Sequence, residues 1–149
     1  MNYIKRIKNK FGGIIMNRVF KFRAWETVEN KMYYQVRVGG VFDGEPTAPT
    51  TYIKGKGWVN LIGGDYTKVM EYTGLKDCNG REIYEGDILK ITWSNGKIVD
   101  YKVEYLSECG YYILIDINNK EDDDIICTFD SSQIEIIGNI FETPKLAKL

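Results

Sequence analysis

Two turn signals stand five residues apart in the middle of the chain, Asn79-Gly80 and Glu85-Gly86-Asp87. Asn, Asp and Gly accept the positive φ, or supply the side-chain-to-backbone hydrogen bonds, that a tight reversal requires. Arg81 to Tyr84 lie between the signals, and Ile88-Leu89-Lys90-Ile91 follows as a β-branched strand. Two reversals this close leave no room for a helix, so residues 72–91 read as a tight connection feeding a sheet. An all-β fold is expected.

The flanking sequence agrees. Residues 18–25 alternate, placing Phe20, Phe22 and Ala24 on one face and Lys21, Arg23 and Trp25 on the other. Residues 31–38 form a second such run, and 26–30 are the hairpin connection. Residues 43–51, with Pro46 and Pro49, read as an exposed loop. Residues 52–62 read as one Gly-interrupted strand, and 67–72 carry Val69 and Met70 toward the central turns, with room for a helical turn or two between 65 and 72. In the second half, 88–93 and 97–105 flank the turn Ser94-Asn95-Gly96; strands at 111–117, 125–129 and 133–137 follow. Five short strands with turns at regular intervals suit a small SH3-like barrel, because closure removes exposed edges. A short tail helix is expected after Thr143-Pro144.

Composition matters chiefly by exclusion. The chain contains no histidine, which removes Ser-His and Cys-His nucleophile pairs, imidazole bases and His-ligated metals. Cys78, Cys109 and Cys127 form no C-x-x-C and are odd in number, which reads as reduced thiols in a cytoplasm. No run approaches the ~20 apolar residues of a membrane helix. The net charge of −1 hides an asymmetry: residues 1–25 hold seven of the twenty bases and no acid, so the remainder carries thirteen bases against twenty-one acids, a net of −8. An acidic body is a poor partner for duplex phosphate. The tract Gly12-Gly13-Ile14-Ile15 before Met16 is what a translated ribosome-binding site would look like. Met16 is therefore the expected natural start, with residues 1–15 an extension; codons for Gly12-Gly13 that are not purine-rich would refute this.

The central stretch also resembles the signature of the YopX family of phage and prophage proteins. The residues concerned are Tyr72, Thr73, Gly74, Leu75, Lys76 and Asp77, then Asn79 and Gly80, then Glu82, Ile83, Tyr84, Glu85, Gly86, Asp87 and Ile88. Phe22-Arg23-Ala24-Trp25 looks like the family's opening strand, and Ile137-Gly138-Asn139-Ile140-Phe141-Glu142-Thr143-Pro144 like its closing segment. The resemblance runs from about Asn17 to Leu146. Cys78 stands where a polar or charged turn residue is the expectation. The resemblance implies a β-rich fold, a phage or prophage origin and a homo-oligomer; it implies no reaction, so no catalytic residue carries over.

Three constellations could carry chemistry. The run Glu121-Asp122-Asp123-Asp124, with Asp116, could hold a hard cation or mimic phosphate before a basic host surface, but it lacks the order of a calcium loop and is expected to be a solvated hairpin tip. Glu82, Glu85 and Asp87 could be the paired carboxylates of a hydrolase. Turn-fixing hydrogen bonds, with Arg81 or Lys76 as ionic partners, explain them as well. Trp25, Trp58, Trp93 and the pairs Tyr33-Tyr34 and Tyr111-Tyr112 could stack single-stranded nucleic acid near Lys90, Lys97 and Lys102, although aromatics at strand spacing are ordinarily core or interface.

The expectation is thus an N-terminal β region over residues 16–75 packed on an SH3-like barrel over 76–142, with a tail at 143–149. It is a cytoplasmic protein working by protein contact as a homo-oligomer, on host or phage proteins, with no catalytic residue, cofactor or metal. Trp25, Tyr33, Tyr111, Asp122, Asp123 and Asp124 are its candidate interaction surface. Single-strand nucleic-acid binding is the first alternative and a metal-dependent hydrolase the last.

Overall fold

The alternating segments do form strands, and they assemble into two antiparallel sheets. A computed structural model describes residues 19–39, 41–42, 45–119 and 123–148. The 1–15 extension, Glu121 and Asp122 lie outside these. β1 (Phe22–Glu26) and β2 (Lys31–Arg37) make the expected hairpin, and β7 (Thr67–Lys76) pairs with the other side of β1. β5 (Thr50–Ile53), β6 (Gly57–Asn60) and β8 (Glu82–Tyr84) complete a six-stranded sheet in the order β6-β5-β2-β1-β7-β8. The second sheet holds β9 (Asp87–Thr92), β10 (Ile98–Leu106), β11 (Tyr111–Asp116), β12 (Asp123–Ile125) and β13 (Ile134–Asn139), in the order β12-β11-β10-β9-β13. Among the described residues no pairing joins β12 to β13, so the ladders define an antiparallel sheet with two ends.

Five expectations are corrected. Residues 52–62 are not one strand: the chain reverses at 54–56, where Lys56 N–H donates to the Ile53 carbonyl at 3.0 Å, and β6 folds back on β5. The loop at 43–51 contains β4 (Glu45–Pro46), which pairs with β3 (Val41–Phe42). Residues 125–129 turn into a 3-10 helix, Ile126–Thr128, which buries Ile126 beneath the second sheet. Helical structure near residue 65 is a single 3-10 turn, Gly64–Tyr66. The tail is a series of three-residue turns, with Leu146, Ala147 and Lys148 N–H donating to the carbonyls of Thr143, Pro144 and Lys145.

Two cores result. The larger collects Ile83, Leu89, Ile91, Val103, Leu114 and Ile134 from β8 and the second sheet, with Leu75 against them. Apolar burial of this kind stabilises by about 25 cal/mol per Å². The smaller is built on Ala24, Val36 and Leu61. Because β1 sits inside its sheet with material on both faces, Arg23 is not on a solvated face as alternation predicts; it is 4% exposed. The change from one sheet to the other falls at the Glu85-Gly86 turn. Gly86 there has φ +78°, a conformation that side chains resist, and a Cβ would press on Ile140.

Candidate functional site: the cleft at the junction of the sheets

The double turn works as two carboxylate-centred clamps. Asp77 accepts N–H bonds from Asn79 and Arg81 on Oδ1, both at 2.9 Å, and on Oδ2 from Arg81 Nε at 2.9 Å and Ile136 N–H at 3.2 Å. Gly80, at φ +77°, closes the turn by donating to the Asp77 carbonyl. Burial alone would push the Asp77 carboxyl up, but these donors outweigh it and hold the group below the usual carboxylate range. Arg81 Nη2 also donates to the Ile136 carbonyl at 2.6 Å and Cys78 N–H to Ile134 at 2.8 Å, so the turn covers the outer edge of β13. The Asn79-Gly80 pair is the visible turn signal in the sequence, whereas the side chain that fixes the turn is that of Asp77, two residues earlier.

Asp87 is the second clamp. Its Oδ2 accepts Tyr84 N–H at 2.8 Å, fixing the 84–87 reversal, and its Oδ1 is 2.7 Å from Arg23 Nη2. Both side chains are buried. Desolvation raises the Asp87 pKa, opposed by Arg23. The ionic partners proposed from sequence are therefore not those found: Asp87 pairs with Arg23, Glu82 with Lys21, and Arg81 with Asp77. Arg23 also donates to the Glu85 carbonyl at 3.2 Å and lies over the Tyr84 ring, 4.9 Å from its centre. Tyr84 donates its hydroxyl to Glu82 at 3.0 Å, and burial first, then that bond, raise its pKa well above a free phenol's. Glu85 is half-buried; burial, then the neighbouring Glu104 and Glu71, raise its pKa. Of the other signature residues, Tyr72 packs against Tyr84 with centroids 5.6 Å apart, and Thr73 donates to the Ile83 carbonyl at 2.8 Å. Gly74 accompanies a bulge where β7 meets β8.

A cleft of about 490 Å³ opens over this pair, lined by Arg23, Tyr34, Arg81, Glu82, Tyr84, Asp87, Asn139 and Glu142 together with Ile136, Ile137 and Gly138. Two bulges border it. In β2 one extra residue falls between the pairs Phe22–Val36 and Ala24–Tyr33, and Gln35 has φ +59°, unusual for a side-chain-bearing residue in a strand. In β13 an extra residue falls between Ile136 and Gly138. Bulges re-aim side chains, and here Tyr34 is brought to the cleft while remaining exposed.

The other sequence candidates are dispersed. Trp25 stacks on Phe141, with centroids 5.8 Å apart and planes 15° apart. Tyr33 donates its hydroxyl to Glu29 and carries Lys31 over its ring, and Tyr111 lies exposed on β11, its pKa raised by Cys109. Trp93 packs edge-on against Phe129. Lys90 pairs with Glu135 at 3.8 Å and Lys102 with Glu104 at 2.7 Å. Asp123 is exposed and Asp124 accepts the Tyr101 hydroxyl at 3.0 Å. Among the described residues no three His, Cys, Asp or Glu side chains converge as a metal site, no cysteine is in a disulfide, and no helix is long and apolar enough to cross a membrane.

The edge of the first sheet is different in kind. Tyr52 on β5 and Trp58 on β6 form a directly opposed, edge-on pair with centroids 5.7 Å apart. The Arg37 guanidinium lies 3.7 Å from the Trp58 ring centre, and both rings remain more than 40% exposed. The sequence offers Trp58 as apolar content of a 52–62 strand or as one ring of a nucleic-acid platform, and its partners stay hidden as long as the β5–β6 reversal reads as one strand.

Two antiparallel sheets joined by a doubly clamped turn define an all-β protein. The family model described as YopX protein matches residues 21–148, and the chain belongs to the YopX family. Its structure is similar to that of protein EF1440 from Enterococcus faecalis, with 29% identity and a TM-score of 0.58, covering 87% of this chain and 98% of that one. It is also similar to protein yopX from Bacillus subtilis, with 19% identity, a TM-score of 0.58, and coverage of 85% and 95%. No curated protein matches the chain.

Proposed function

We propose that this is a cytoplasmic accessory protein of a phage or prophage that works by protein contact, assembles with copies of itself, and catalyses no reaction. One observation carries the reading: among the described residues the β6 edge is an unpaired strand edge, and it is flanked by the exposed Tyr52–Trp58–Arg37 cluster. Tyr, Trp and Arg are the residues enriched at interface centres, and an open edge adds main-chain hydrogen bonds to such a surface. The other sheet edges are less suited. β13 is covered by the Asp77–Arg81 turn, β8 lies against the larger core, and β12 is three residues long and begins with two aspartates.

The curl of the second sheet belongs to the same reading: we take it as SH3-like, supported by Ile126, just past β12, packing in one core with Ile134 of β13. Nucleic-acid binding is the weaker reading, because Lys90 and Lys102 already face carboxylates.

Hydrogen exchange tests the assembly. The amides of Trp58 and Asn60, which alternation turns away from β5, should be protected at high protein concentration and exchange freely on dilution. Exchange that is the same at every concentration would rule out this edge as the interface.

A further inference from the structure

The cleft holds two groups whose chemistry the protein itself does not complete. Arg23 is buried, and Nη2 serves Asp87 and the Glu85 carbonyl. Its Nε, however, is a buried donor with no acceptor among the described residues. A buried guanidinium normally satisfies its N–H groups, so this one calls for an oxygen acceptor. Glu142 is the second. Of the charged side chains lining the cleft, Asp87 has Arg23, Glu82 has Lys21 and Arg81 has Asp77. Glu142 has only the Asn139 amide, at 2.6 Å, among the described residues. Three carboxylates thus line the cleft against two guanidinium groups whose charges are already matched, which disfavours an anion and favours a cation.

Tyr34 adds the third element. The bulge at Gln35 carries its ring to the rim, and Thr51, fully buried, donates to the Tyr34 carbonyl at 3.2 Å and so anchors the bulge. Tyr34 and Glu142 line the same cleft, and burial, then Glu142, raise the Tyr34 pKa. An aromatic face beside an uncompensated carboxylate is a setting for an organic cation. The volume of about 490 Å³ suits one long side chain and its adjoining backbone.

We propose that the cleft receives a lysine or arginine side chain of a partner polypeptide, with the cation at Glu142 and Tyr34 and with the Arg23 side chain shifting to uncover its buried Nε to an adjoining peptide carbonyl. The inference is independent of assembly through β6, and a Trp58→Lys variant should retain it. The probes are the capped tripeptides Gly-Arg-Gly and Gly-Lys-Gly, with Gly-Gln-Gly as the neutral control, titrated into the isotope-labelled full chain and followed by amide chemical shifts. Shifts are expected at Tyr34, Asn139 and Glu142 with the basic peptides, weakening as salt rises. Glu142→Gln, which keeps the bond to Asn139, should weaken basic-peptide binding about tenfold. Tyr34→Ala, at an exposed ring, should weaken it severalfold. Equal binding of the neutral peptide, undiminished binding by Glu142→Gln, or no shifts at these residues at millimolar peptide would overturn the proposal. So would saturable shifts at the same residues with magnesium chloride alone, which would assign the cleft to a metal ion.

Discussion

Arg23 of β1 and Asp87 of β9 form an ion pair whose side chains are 5% and 1% exposed, and it bridges the two sheets. Neither charge is tolerable there alone. Removing one partner of such a pair costs roughly 3–5 kcal/mol, because the other remains buried and uncompensated. Arg23→Leu should therefore destabilise by about that amount in urea denaturation. Adding Asp87→Asn, which can still accept Tyr84 N–H, should recover about 1 kcal/mol or more relative to additivity. Strict additivity would mean that the pair does not act as a unit. The pH response follows: Asp87 has a raised folded pKa, so stability is lost as pH rises through that value. Without Arg23 the rise is larger, and Arg23→Leu should gain stability on mild acidification.

Asp77 behaves in the opposite sense. Its folded pKa is lowered, so its contribution is present above the unfolded value of about 4 and is lost as pH falls through the folded value. Asp77→Asn puts an amide donor near the N–H groups of Ile136 and Arg81. It should cost roughly 2–4 kcal/mol at neutral pH and flatten the acid limb of the stability profile. An acid limb unchanged in the variant would exclude Asp77 as its source.

Gly138 is fixed by packing rather than by φ. A Cβ there would sit 2.1 Å from Thr143 Oγ1 and 3.0 Å from Leu146 Cδ1. Thr143 Oγ1 in turn accepts Asn139 N–H at 2.9 Å, so Gly138→Ala should dislodge the tail turns and cost about 1–3 kcal/mol. Hydrogen exchange over residues 143–148 should accelerate. Unchanged exchange would show that the tail relaxes without leaving.

The strands between Ile88 and Ile117 were legible in the sequence because Ser94-Asn95-Gly96 and Glu108-Cys109-Gly110 punctuate alternating segments of ordinary length. The β5–β6 reversal was not, because Gly55-Lys56-Gly57 reads equally as an interrupted strand; only the pairing of Tyr52 with Trp58 decides it. Arg23 departs from the alternation rule because both faces of its strand are packed, with Arg23, Ala24 and Glu26 all buried; a charge can persist there only if matched, and Asp87 matches it. The cleft depends on bulges at Gln35, where no glycine announces it, and at Ile137, where Gly138 follows but reads as part of an ordinary strand end. Alternation places Glu85 and Asp87 near one side of a turn, but the cationic partners of Asp87 and Glu82 come from β1 and the residue just before it, at a sequence distance that pattern reading cannot bridge.

Sedimentation equilibrium of the full chain beside Trp58→Lys tests the contact reading most directly. The account predicts a mass that is a multiple of 17.2 kDa for the native sequence at micromolar concentration, and 17.2 kDa for the variant with its fold intact. A native chain that stays at the single-chain mass across the accessible concentrations, or a variant that assembles just as well, would contradict it.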